Sequence, residues 1–169
     1  MAAILSQRMT AQLDGDFVVF LIGARINKLW KLHRWLPVAR SMPQMLHELT
    51  AQRELGLLGY HLQLGVPVIF CVQYWRSFEQ LTAYASNRAA AYLPAWAAFN
   101  RTIGSNGDVG IWHETYHVAA GAYETVYNNM PPFGLGTAGQ LTPATRRRST
   151  AAGRVQAGQL RARGQPEEG

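Results

Sequence analysis

Leu57–Trp75, LLGYHLQLGVPVIFCVQYW, is the stretch that decides the fold. Leu58, Tyr60, Leu62 and Leu64 alternate with Gly59, His61 and Gln63, and a period of two marks a strand with one buried face. Gly65-Val66-Pro67 then turns the chain. Val68–Trp75 follows as a second run rich in β-formers, so the pair reads as a hairpin.

Helical patterns flank this hairpin on both sides. Upstream, Ala39, Met42, Met45, Leu46 and Leu49 recur three or four apart from about Leu36 to about Arg53, and Gly56 marks the exit. Ser41 and Gln44 form an S-x-x-Q capping box that would place Pro43 in a first turn, so a kinked or restarted helix is expected. Downstream, Ser77–Gln80 is a second such box, opening a helix through Phe78, Leu81, Tyr84 and Ala85. A further helical stretch over 89–103 carries Leu93, Trp96 and Ile103 on one stripe.

Outside the helices lie two more strands. Asp14-Gly15-Asp16 turns into the continuous apolar run Phe17–Gly23, the mark of a strand buried on both faces. Gly104–Asp108 has loop chemistry and delivers the strand Val109–Val118. The order β, α, β, β, α, β is the ferredoxin-like split βαβ of an α+β protein. Helices cover one face of such a sheet, and the other is covered most economically by a second copy of the chain.

The chain has 169 residues, 48% of them apolar and 15% charged, about the size of one domain. Its net charge of +6 is unevenly placed. Residues 135–169 hold six Arg against two Glu, so the folded part has no strong footprint for nucleic acid. The single cysteine, Cys71, excludes a disulfide framework. No secretory h-region or run of membrane-spanning length is present, which predicts a cytoplasmic chain without membrane contact. Residues 137–169 are rich in Gly, Ala and Arg and nearly free of large apolar side chains, so a disordered tail is expected after a 1–136 domain.

The strings DGDFVVFLIGARINKLWKLHRWLPVA, LGYHL, VQYWRSFEQL, LPAWAAFNR, DVGIWHETY and YNNMPPFGLG resemble a monooxygenase-like domain-of-unknown-function family of the dimeric α+β barrel superfamily. The resemblance spans roughly residues 6–136. It implies a homodimer formed through the sheet, with a pocket between sheet and helices in each subunit. The superfamily includes cofactor-independent oxygenases, haem enzymes and non-enzymatic sensors, so it specifies the fold more closely than the reaction. No catalytic residue set carries over from it.

Candidate residues therefore come from their chemistry. His33, between Trp30 and Trp35, suits a general base or an axial haem ligand, or else a packed helix start. On the strand 109–118, Trp112, Glu114 and Tyr116 share one face and Ile111, His113, Thr115 and His117 the other. If the first set faces the helices, Glu114 is a base there or an ion-pair partner of Arg25. His61, Gln63, Gln73 and His113 would then meet on the barrel side as a structural polar network.

Trp30, Trp35, Trp75, Trp96 and Trp112 would line a pocket for a small aromatic ligand, with Arg25, Asn27 or Tyr116 opposing a developing oxyanion. Tyr127, Asn129 and Phe133 belong to a segment stiffened by Pro131-Pro132, either a lid over that pocket or a packed arm. His113 and His117, about 13 Å apart on a strand, are too distant to share a metal. The leading expectation is a cofactor-independent monooxygenase-like enzyme acting on an aromatic or polycyclic metabolite. The alternatives are a haem-binding barrel enzyme and a non-catalytic ligand-binding barrel.

Overall fold

A computed structural model describes residues 3–87 and 106–166. The helix expected over 89–103, with Trp96, lies outside these residues. The chain forms β1 (Met9–Gln12), β2 (Phe17–Ile26), α1 (Leu32–Ala51), β3 (Leu57–Gln63), β4 (Val68–Trp75), α2 (Phe78–Ser86), β5 (Val109–Val118), β6 (Gln140–Pro143) and α3 (Ala151–Ala162). Four strands make an antiparallel sheet in the order β3-β4-β2-β5, which with α1 and α2 is the ferredoxin-like arrangement.

Register sorts the side chains into two faces. Val18 lies opposite Trp75 and His117, Phe20 opposite Gln73 and Thr115, and Ala24 opposite Ile69 and Ile111. These residues face α1 and α2. Val19, Leu21, Gly23 and Arg25 pair with Tyr116, Glu114, Trp112 and Gly110 and face the other way.

A bulge between Leu57 and Gly59 breaks the alternation expected of β3. Leu57, Tyr60 and Leu62 join the helix-side core, whereas Leu58 joins the opposite cluster.

That core is dense at one end. Leu49, Cys71 and Trp75 are 0% exposed, and Val18, Leu46, Leu81 and Tyr84 close around them. The helix α1 starts earlier than its apolar stripe suggests and runs unbroken for 20 residues through Pro37 and Pro43. The second capping box is half made. Ser77 Oγ accepts from Gln80 N at 3.2 Å, but the Gln80 side chain turns to Glu54 O instead of reaching back.

The expected disordered tail is ordered over its described part, to residue 166. β6 pairs with β1, Leu141 packs into the cluster of Ala11, Phe17 and Leu135, and α3 follows. Small residues make this docking feasible without large apolar ones. Gly121 (φ +72°) and Gly158 bring two backbones into contact, and a Cβ on Gly121 would overlap the Gly158 carbonyl. Arg154, 7% exposed, donates to Glu124 Oε2 at 2.7 Å and to the carbonyls of Arg148 and Ser149. Composition alone missed a segment held by close backbone approach and one buried guanidinium with three acceptors.

Asp108, 2% exposed, fixes the opposite end of the sheet. Its carboxylate takes Lys28 Nζ and Lys31 Nζ, each at 2.8 Å, and its carbonyl accepts from Asn27 N at 3.0 Å. The two ammonium donors hold the carboxyl down to about 2.

Gly121→Val should cost about 1–3 kcal/mol in urea denaturation, part of it from backbone strain at φ +72°, and speed proteolysis within α3, whereas with a disordered tail the proteolysis there would not change. Asp108 has a depressed folded-state pKa, so its pairing stabilises fully above about pH 4 and is lost as pH falls towards about 2. Asp108→Asn should flatten the fall in urea midpoint over that window relative to the native chain.

Candidate functional site

Beyond the dense core, the space between sheet and helices opens into a cavity of about 450 Å³. Phe20, Ile22, Ala24 and Ile26 of β2 form its floor with Ile69, Gln73 and Trp75 of β4 and Ile111, His113 and Thr115 of β5. Trp35, Ala39, Met42 and Met45 of α1 and Leu81, Thr82 and Ala85 of α2 form the roof. Among the described lining residues only His113 and Tyr84 are titratable, and the Tyr84 hydroxyl already donates to Glu48 Oε2 at 2.8 Å.

His113 stands at the rim, exposed, its ring 5.9 Å from that of Phe20 and tilted 45°. Gln73 lies deeper, 1% exposed. Its Oε1 accepts from Trp75 Nε1 at 2.9 Å, and because an indole N–H only donates, this bond fixes which way the amide points. Gln73 Nε2 is left buried without an acceptor. Beside it, burial pushes the Cys71 thiol up to about 12, with the Gln73 side chain opposing. Cys71 is thus an inert packed thiol.

Several residues singled out in the sequence lie elsewhere. Trp35 and Trp75 line the cavity. Trp112, Glu114 and Tyr116 are on the opposite sheet face, so the helix-side placement considered for Glu114 is wrong, and Gln73 and His113 are not on the barrel side with His61 and Gln63. Glu114 sits opposite Leu21, four residues and about 13 Å along β2 from Arg25. It accepts instead from the Tyr116 hydroxyl at 2.6 Å, a bond that raises the tyrosine pKa. Arg25 donates to Asn27 Oδ1, and Asn27 Nδ2 to Gly107 O at 3.1 Å, so these two tie down a loop.

His33 is exposed on the first turn of α1, and Trp30 is 76% exposed. Neither is among the cavity-lining residues. The segment from Tyr123 to Gly136 is a packed arm and not a lid over this cavity. It crosses the sheet face away from the helices, where Phe133 meets His61 at 4.0 Å between ring centroids and Tyr127 packs into the Ala11, Phe17 and Leu135 cluster. Asn129 adopts φ 54° within it. Burial and the nearby Tyr127 push Tyr74, beneath the arm, up to about 12.

His113-Glu114-Thr115-Tyr116-His117 spells H-E-x-x-H, a zinc motif when helical. In the extended β5 the two histidines are about 13 Å apart and Glu114 points to the opposite face, so the motif's geometry is lost. No cluster of three metal-ligating side chains exists among the described residues.

The fold and its cavity define a ferredoxin-like α+β protein with an apolar chamber between sheet and helices. Residues 17–135 match the family described as Monooxygenase af470-like, and the chain belongs to that family. No curated protein matches the sequence.

Among solved structures, an aldoxime dehydratase (OxdRE) in complex with butyraldoxime aligns at TM-score 0.58 and 15% identity, over 82% of this chain and 40% of the dehydratase. The chain thus spans less than half of that enzyme. SnoaB, a cofactor-independent oxygenase from Streptomyces nogalater, aligns at TM-score 0.40 and 12% identity, over 60% of this chain and 91% of SnoaB. Rv0793 from Mycobacterium tuberculosis aligns at TM-score 0.44 and 13% identity, over 59% of this chain and 92% of Rv0793. At these identities the likeness concerns the fold.

Gln73→Leu should leave Trp75 Nε1 buried without an acceptor and cost about 1–3 kcal/mol in thermal or urea denaturation. Gln73→Glu retains an acceptor for the indole, so it should preserve that hydrogen bond, read as an unchanged near-ultraviolet indole signal.

Proposed function

We propose that the chain is a cofactor-independent oxygenase of a small aromatic or polycyclic metabolite held in the helix-side cavity. The observation that carries this reading is the chamber itself, about 450 Å³ and almost wholly apolar, with His113 at its rim. Ring stacking on Trp35 orients a flat substrate against the apolar walls, with its reacting carbon towards His113 at the rim. His113 replaces His33 and Glu114 as the base, because it lines the cavity and they do not.

His113 takes a proton from an activated C–H of the substrate. The resulting carbanion reduces O2 and combines with it to a peroxide. Loss of water from that peroxide, with the proton returned by His113, leaves a carbonyl. One oxygen atom enters the product and the other leaves as water.

A haem reading is poorly served by the residues present. Of the expected axial ligands, His33 is outside the cavity while the helix-facing His113 lines it, but no Lys or Arg among the described lining residues could meet the propionates. The dimer expected from the sequence remains part of the proposal. The sheet face away from the helices leaves Tyr116 51% exposed, beside half-buried Leu21, Phe70, Val72 and Trp112, and a second copy packed there would cover it.

Oxygen uptake with anthrone, without added flavin or metal, tests the reading. The native chain should consume one O2 per anthrone and release anthraquinone. His113→Ala should lower kcat by about 100-fold or more, while His33→Ala should leave it nearly unchanged. Binding of anthrone without oxygen uptake would rule out the oxygenase and leave a ligand-binding barrel.

A further inference from the structure

The sheet topology brings two loops to one end of the molecule. The β2–α1 connection and the β3–β4 turn are joined there by Ile26 N donating to Pro67 O at 2.7 Å. Both loops present large apolar side chains to solvent. Trp30 is 76% exposed and Leu29 45% on the first, with Leu32 at the start of α1 56% exposed, and Val66 is 68% and Leu64 61% exposed on the second. A single exposed leucine is ordinary, but five such residues on or beside two loops that meet at one end are not.

The surroundings of the patch are basic. Arg25, Lys28 and Lys31 lie in or beside the first loop, and the carboxylate of Asp108, placed between the two lysines, is itself 2% exposed. Both ammonium groups are turned to Asp108, which offsets one of their two charges, so with Arg25 this end keeps a net positive charge beside the apolar tips, and the lysine side chains are 40% and 34% exposed. The loop is also rigidly built. Asp108 O accepts from Asn27 N and Lys28 N, and Trp35 Nε1 donates to Leu29 O at 3.0 Å. Its tips are therefore held outward by the fold.

We propose that this end of the sheet docks on an anionic lipid surface. Tryptophan and leucine tips among lysines and arginines match a bilayer interface: the rings and aliphatic chains enter the headgroup boundary while the cations meet lipid phosphates. The patch consists of separate loop tips and not a continuous helix or sheet face, which suits insertion into lipid. It also adjoins the chamber. Ala24, Ile26, Ile69, Val109 and Ile111 line the cavity at this same end, and Trp35 joins the cavity wall to the Leu29 loop. A poorly soluble ligand partitioned into lipid would be brought close to it. No described helix is long and apolar enough to cross a membrane, so the contact is peripheral. The sequence-based expectation of no membrane contact rested on the lack of a spanning segment and does not bear on it.

Sedimentation of the full chain with phosphatidylcholine vesicles, with and without phosphatidylglycerol, tests the proposal. The native chain should sediment with the anionic vesicles, and less so as salt rises from about 0.1 to about 0.5 M. The double variant Trp30→Ser/Leu32→Ser, altered only at exposed positions, should keep its circular dichroism and lose at least about tenfold in partitioning. Absence of vesicle binding by the native chain would overturn the proposal. So would equal binding by the double variant, which would assign the affinity to the Arg146–Arg148 run. A concentration-dependent oligomer abolished by the double variant, with no vesicle binding, would instead make the patch a protein interface and equally overturn it.

Discussion

Everything in this molecule depends on β2 being hydrogen-bonded along both edges. With β4 on one side and β5 on the other, its residues can direct side chains only up or down, and every neighbour across the sheet inherits the same parity. Val18, Phe20, Ile22, Ala24 and Ile26 therefore commit Gln73, Trp75 and His113 to the helices. Val19, Leu21, Gly23 and Arg25 commit Trp112, Glu114 and Tyr116 to the other side. A slip of one residue would exchange the two chemistries wholesale.

The cavity follows from where bulk runs out along that strand. Near Val18, Trp75 and Leu49 the helices rest on a filled core. Farther along, Ala24 on the sheet faces a roof that includes Ala39 of α1 and Ala85 of α2, and short side chains on both layers leave room. On the reverse face the same economy works differently. Gly23 is where the Trp112 indole lies, so close that a Cβ would strike its Nε1 at 2.7 Å. Neighbouring positions on β2 thus make space on one face and give it to an aromatic ring on the other.

Much of the fold was legible because periodicity reports burial directly. The hairpin, both helices that flank it, the first apolar strand and the element order all follow from alternating or three-and-four spacing. The site was less legible. On β5 both faces carry rings and polar groups, so alternation groups Trp112 with Glu114 and His113 with Thr115 without saying which group meets the helices; that depends on long-range pairing with β2. The bulge at Leu57/Gly59 similarly moves Leu58 out of its apparent row. The tail was misread because its attachment relies on a glycine pair and a buried, hydrogen-bonded arginine, which hydropathy does not register. H-E-x-x-H shows the converse: its meaning depends entirely on whether the backbone is coiled or extended.

The arm and the segment after it have a geometric consequence for assembly. Leu135, Tyr127 and Leu141 occupy the half of the open face that contains Phe17, Val19 and Val118. The part that no described residue covers, around Gly23, Phe70 and Trp112, lies towards the loop end of the sheet. Two chains that meet there related by a twofold axis would be staggered, each sliding past the other's arm, with the basic, apolar-tipped ends placed according to that offset. The length of the C-terminal arm, more than the shape of the sheet, would then set how far apart two such chambers stand.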